Sequence, residues 1–227
     1  MKIKISFYLL ILIVVIGPTI YPLEPESVIV KYEYGPEDQA LMDLFRFQEI
    51  EYYKFSFLEN SFKDKFFEIS YAEYNNGKSS GEKIFTESKA MKTLMKISQN
   101  PLSFEIKVMS QKITEHTAKF LFIFNNRMGK EISFEILHQN PSYSLRTPIR
   151  GHNHRDDESA VPGDRIFVEK KIPLLVYSLP YKNPQGNYKY CQLTAENIPP
   201  EKWGEHYGVK HYIIFYLEIK NVTVSSQ

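Results

Sequence analysis

The stretch Arg150-Gly-His-Asn-His-Arg-Asp-Asp-Glu158 holds the residue types closest to a reactive site. His152 and His154 stand two apart, so on an extended chain both imidazoles project to one side, as paired metal ligands do. Asp156, Asp157 and Glu158 add carboxylates beside them. The same residues have a plainer use. Arg146, Arg150, Arg155 and Arg165 set against Asp156, Asp157, Glu158 and Asp164 make a charge-balanced, solvated loop. That plainer use is the expectation, and the sequence assigns no catalytic, cofactor-binding or metal-binding residue. No G-x-S-x-G elbow, P-loop or G-x-G-x-x-G occurs, so hydrolase and nucleotide chemistry have no handle. Carboxylates are plentiful, but a glycosidase pair is defined by separation in space, which spacing along the chain does not give.

The spacing of His152, His154 and Glu158 resembles the H-x-H-x(3,4)-E motif of the cupin family. The resemblance covers residues 152–158. It implies a jelly-roll enzyme holding a metal through these side chains, with His206 or His211 supplying a further histidine. The stretch is also similar to the H-x-H-x-D-H motif of the metallo-β-lactamase family, with Asp157 standing where the last histidine of that motif falls.

Other candidates are singletons. Cys191 is the only cysteine, so neither an intramolecular disulfide nor a thiolate metal cluster can form. On a strand it reads as a small buried hydrophobe. Tyr52, Tyr53, Tyr71, Tyr74, Tyr143, Tyr181, Tyr188 and Tyr190 could line a sugar-binding face. Strand tyrosines more often sit in a core with the hydroxyl at its edge, and that is the expectation here.

These residues must be positioned by strands. The chain is 43% hydrophobic and 15% aromatic, with 16 Phe and 16 Tyr against one Trp, a composition suited to pleated sheet over one substantial core. In Thr117–His138, Ala118, Phe120, Phe122 and Phe124 alternate onto one face, and Ile132, Phe134 and Ile136 do so after Arg127-Met128-Gly129. Pairing Asn126 with Lys130 would place Gly129 last in a three-residue loop, where φ > 0 is wanted. That register sets Phe124 opposite Ile132, Phe122 opposite Phe134 and Phe120 opposite Ile136. Further alternation predicts strands over 28–34, 49–58, 67–71, 102–109, 166–176, 188–193 and 211–220. The last is apolar on both faces and belongs mid-sheet, while Pro173 suggests an edge. Gly35-Pro36-Glu37-Asp38 reads as a strand stop followed by the start of a short helix ending near Phe45. Ser88–Ile97, with Met91, Leu94 and Met95 on one face, is the main helical stretch. A helical turn is expected around Trp203. Residues 139–165 carry almost no apolar rhythm, a length of connection that is usually functional or disordered.

The first seventeen residues, MKIKISFYLLILIVVIG, resemble a secretory signal peptide, with Lys2 and Lys4 ahead of an apolar run from Phe7 to Ile16. As a helix that run spans about 15 Å, roughly half of a 30 Å hydrocarbon core. The sequence therefore reads as 1–20 signal peptide or N-terminal membrane anchor, 21–27 linker, 28–221 a single domain and 222–227 tail. The expected fold is all-β, an antiparallel β-sandwich or jelly roll of about nine or ten strands with one short helix near 88–97. At the level of pattern it is similar to β-sandwich domains of bacterial cell envelopes. Twenty-eight basic residues against 27 acidic give a net charge of +1, which implies no nucleic-acid partner. The expected function is a non-enzymatic binding module outside the cytoplasm, in the periplasm, at the cell surface or secreted. It would hold a protein or glycan partner through edge strands or the 139–165 loop, touching membrane only through a retained N-terminus. The alternative is a metal-dependent, cupin-like enzyme using His152 and His154.

Overall fold

Alternating apolar residues build strands throughout the chain. Its structure is a computed structural model that describes residues 25–58, 62, 64–86, 89, 93, 103–137, 142–149, 164–182, 186–189 and 198–222. The elements in order are β1 (Ser27–Tyr34), α1 (Gln39–Phe47), β2 (Ile50–Leu58), β3 (Lys65–Asn75), β4 (Lys78–Ser79), β5 (Lys83–Ile84), β6 (Ser103–Thr114), β7 (Thr117–Phe124) and β8 (Met128–Glu135). After these come β9 (Ser144–Arg146), β10 (Asp164–Phe167), β11 (Lys171–Ser178), β12 (Tyr181–Lys182), β13 (Tyr188–Lys189), α2 (Trp203–Tyr207) and β14 (His211–Asn221).

Two antiparallel sheets face each other, as the sequence predicts. One runs β10-β1-β2-β6-β7-β8; the other runs β4-β3-β14-β11-β9, with β5 also paired to β3. The small β12–β13 hairpin stands apart. Period-two patterning explains the packing. Tyr53, Phe55 and Phe57 of β2, Phe104, Ile106 and Val108 of β6, and Phe120, Phe122 and Phe124 of β7 point inward from the first sheet. Phe67 and Ile69 of β3 and Ile213, Phe215, Leu217 and Ile219 of β14 meet them from the second. Phe215 touches the rings of Phe120, Phe122 and Phe134 at centroid distances of 5.1, 5.0 and 6.0 Å. β14 lies between β3 and β11, the mid-sheet position its two apolar faces require. Its other face, Tyr212 and Ile214, joins Ala72, Tyr74, Val176 and Trp203 in a second, smaller core beneath α2.

The β7–β8 hairpin forms, but its register differs from the expected one. Phe124 pairs with Met128, Phe122 with Lys130, Phe120 with Ile132 and Ala118 with Phe134. Asn125 and Asn126 take φ of 49° and 54°, and Arg127 N–H closes the turn on the Phe124 carbonyl at 3.0 Å. Asparagine tolerates this left-handed conformation, so the turn falls there and Gly129 is left inside β8. The displacement is an even number of residues, so every inward side chain stays inward.

Three other expectations need correction. The strands are more numerous than nine or ten, because short pieces such as β4, β5, β9 and β12 add to the long ones. The stretch 166–176 is two strands: Glu169, at φ 58°, turns the chain between β10 in the first sheet and β11 in the second. Residues 139–165 contain a strand, β9, paired to Val176–Ser178 at the edge of the second sheet. Pro173 itself is paired on one side only, to Tyr216 of β14, because β9 stops at Val176; it holds the edge position expected of it, with a bulge before Leu175.

Helices α1 and α2 occur where a helix start after Asp38 and a turn around Trp203 are expected. Ser88–Ile97 falls largely outside the described residues; Lys89 and Thr93 within it are helical, and the Thr93 hydroxyl donates to the Lys89 carbonyl at 2.9 Å. The leader, residues 1–24, is also outside them. Among the described residues no helix is long and apolar enough to cross a membrane.

Candidate functional site

His152, His154, Glu158 and Cys191 lie outside the described residues, as do Arg150, Arg155, Asp156 and Asp157. Among the described residues no group of three or more His, Cys, Asp or Glu side chains is placed to hold a metal ion. Arg146, one of the arginines expected to balance the loop acids, reaches Glu51 Oε1 at 3.4 Å and the Leu145 carbonyl at 2.7 Å. His206 sits on α2 with its ring edge-on to Tyr207. Tyr190 lies outside the described residues; of the others Tyr53, Tyr74 and Tyr181 are buried, Tyr52, Tyr71 and Tyr143 half-buried, and Tyr188 exposed, so the described ones form no continuous platform.

Polar side chains gather at one end of the sandwich. Glu51 is on the inward face of β2, in line with Tyr53 and Phe55, where the core gives way to the sheet's end. It accepts the Ser144 hydroxyl at 2.7 Å, the Leu145 N–H at 2.6 Å and the Ser110 hydroxyl at 3.4 Å. Burial raises its carboxyl above the ordinary range, against the lowering influence of Ser144, Leu145 and Arg146. On the opposing sheet His211, also buried, bonds Glu73 Oε1 through Nε2 at 2.8 Å and the Tyr143 hydroxyl through Nδ1 at 2.7 Å. With the imidazole proton on Nε2, the Tyr143 hydroxyl donates to Nδ1 and accepts the Leu137 N–H at 3.2 Å.

Carboxylate, imidazole and hydroxyl in line is the layout of a proton relay. Here the phenol is a poor nucleophile, because burial pushes its pKa up to about 12. Its hydroxyl is also committed to two partners within the chain. Glu51 and Tyr143 instead hold β9: one clasps its backbone from the first sheet, the other ties residues 137 and 143 across the passage between sheets.

An unsatisfied surface lies at α1. β1 ends at Tyr34, and Gly35, at φ 79°, donates its N–H to the Tyr52 carbonyl at 2.9 Å. A Cβ at Gly35 would stand 2.1 Å from Met42 Cε, so glycine serves both the turn and the seating of the helix. Asp38 caps α1 by accepting the Leu41 N–H at 2.8 Å. Met42 and Phe45 face the sheet, and the Phe45 ring meets Tyr52 edge-on at 5.9 Å. At about 100° per residue, Leu41, Leu44 and Phe47 continue the apolar arc beyond the strip that the sheet covers. They are 40%, 51% and 81% exposed, beside Tyr34 at 51%. Between helix and sheet runs a groove of about 130 Å³ whose lining includes Tyr34, Met42, Phe45, Arg46, Ile50 and Tyr52.

Charge around this surface is one-sided. From Glu33 to Glu49 the chain carries five acids (Glu33, Glu37, Asp38, Asp43, Glu49) and one base, Arg46, within a chain whose net charge is only +1. Arg46 is 3.7 Å from Asp43, and Lys54 offsets Glu33 at 2.7 Å and Glu37 at 3.6 Å. Asp38 and Glu49 remain at the rim as exposed acids. The signal in the sequence was Leu41-Met42-x-Leu44-Phe45-x-Phe47: five apolar residues in seven are more than a nine-residue helix at a sheet's end can bury. No protein-family model, curated protein or solved structure matches the chain.

Proposed function

We propose that the protein is an exported, non-enzymatic binding module of the cell envelope that contacts a protein partner through the outer face of α1. The observation that carries this reading is the exposure of Leu41, Leu44 and Phe47 on a helix whose other apolar side chains, Met42 and Phe45, turn toward the sheet. A contiguous apolar face left in water on a small element is what an interaction site requires and what folding alone does not. Leucine and phenylalanine favour a protein over a glycan, since sugar recognition needs polar partners beside an aromatic platform. Export is supported by the basic, then apolar, order of residues 1–17. Intact-mass measurement of the mature protein tests that part; a chain that stays inside the cell with its leader intact would refute it.

The contact reading has its own test. Leu44→Ser/Phe47→Ser is expected to leave stability within about 0.5 kcal/mol of the parent in urea unfolding, because substitutions on a free surface cost little. The same variant should lose partner binding. A loss of 2 kcal/mol or more would mean that these side chains serve the fold, and would sink the proposal.

A further inference from the structure

We infer that the α1 face takes a cationic amphipathic helical segment of a protein partner; this rests on the reading of α1 as the contact surface and adds the chemistry of its occupant. Size comes first. A nine-residue helix is about 14 Å long, so it can meet one or two turns of a partner, read as apolar anchors at i, i+3, i+4 and i+7. The groove beside it, about 130 Å³, is close to the roughly 150 Å³ cavity that accepts a benzene ring, so it has room for a single large apolar side chain. One anchor seats there, and its neighbours lie along Leu41, Leu44 and Phe47.

Charge then selects among the surfaces that could supply such anchors. Glu37, Asp38, Asp43 and Glu49 flank the apolar face, against Arg46 beside Asp43 and Lys54 beside Glu37, so the rim stays net acidic. A second copy of this chain would bring the same acids against themselves, a like-charge juxtaposition that disfavours self-association. An anionic bilayer is repelled for the same reason. A helix with Lys or Arg flanking its apolar stripe meets both features at once, and its charges steer the encounter.

The test uses the full chain and two synthetic helical peptides of about fourteen residues, the length at which helicity becomes sustainable. Both carry leucine at the same anchor positions; one has lysine and the other glutamate elsewhere. Fluorescence anisotropy is expected to show the lysine peptide binding at least tenfold more tightly, with affinity falling as salt rises. Glu37→Lys/Asp43→Lys should reverse the preference, and Leu44→Ser/Phe47→Ser should abolish binding of either peptide. Equal affinity for the two peptides, lost in L44S/F47S, would overturn the charge inference while leaving the contact surface standing. Binding indifferent to L44S/F47S would overturn the contact surface itself. Binding of neither peptide, preferential binding to vesicles rich in anionic phospholipid, or dimerisation through this face would each overturn the inference.

Discussion

Glu51 is a carboxylate kept in a place that disfavours its charge, and its position explains why. Four donors, from Ser110, Ser144, Leu145 and Arg146, converge on it, and without an acceptor there the Leu145 N–H would be buried unpaired. Burial nonetheless outweighs them and raises its pKa. A native value above the unfolded one means that the folded chain holds a proton the unfolded chain has released. Glu51 therefore contributes stability that is present in full below the unfolded value, about pH 4, and is lost as pH rises through the native value. Glu51→Gln removes that titration, so parent stability minus variant stability, measured in urea at successive pH values, is expected to fall with rising pH. A difference that grows with pH would contradict the assignment. Glu51→Ala, which also strands the donors, should cost about 1–3 kcal/mol more than Glu51→Gln. Residues of this kind are hard to read from sequence. His211 stands out there only as a further histidine for the cupin-like motif, and its actual partners Tyr143 and Glu73 are 68 and 138 residues away. Strand register, not local spacing, brings them together.

Elements were legible where the pattern spans several residues and ambiguous where a single turn decides. The alternation of Phe120, Phe122 and Phe124 fixed which face of β7 is buried, but not which residues of β8 lie opposite. Asn125-Asn126 and Gly129 were both competent to turn the chain, and the paired asparagines did so. Residues 166–176 read as one strand because Val168 and Ile172 keep an apolar look across a break made by Glu169. α1 was foreseen as a helix but not as a surface, since excess apolar character shows only against what the sheet can cover. The docking of α2 depends on a close approach that no pattern announces. A Cβ on Gly204 would lie 2.4 Å from Gly77 N and 2.8 Å from its Cα, both backbone atoms that cannot move aside. Gly204→Ala is thus expected to lift α2 from the turn between β3 and β4. Trp203, the sole tryptophan and buried against Tyr212 at 5.5 Å, reports on it. Its emission should shift to the red with partial loss of stability; an unshifted spectrum with parental stability would show that the packing is looser than described.

At the scale of the molecule, two sheets enclose a core rich in phenylalanine, and a smaller core lies under α2. Phe122 is fully buried among Phe85, Phe124 and Phe215. Phe122→Ala is expected to cost about 3–5 kcal/mol, from lost burial and the cavity left behind. A cost under 1 kcal/mol would mean that the sheets do not pack as described. Fold class was available from the sequence because alternation persists over most of the chain. The interaction surface was not, because it depends on what the fold leaves uncovered. β1 connects two ends of the molecule, from Ser27 opposite Phe167 to Tyr34 beside α1, and this gives the function its most direct test. A photo-crosslinking phenylalanine analogue placed at Phe47, in cells producing the protein, should yield a discrete protein adduct that Leu44→Ser abolishes. The same analogue at Phe167 should yield none. Adducts of equal yield from both positions, or none from Phe47, would contradict binding through α1.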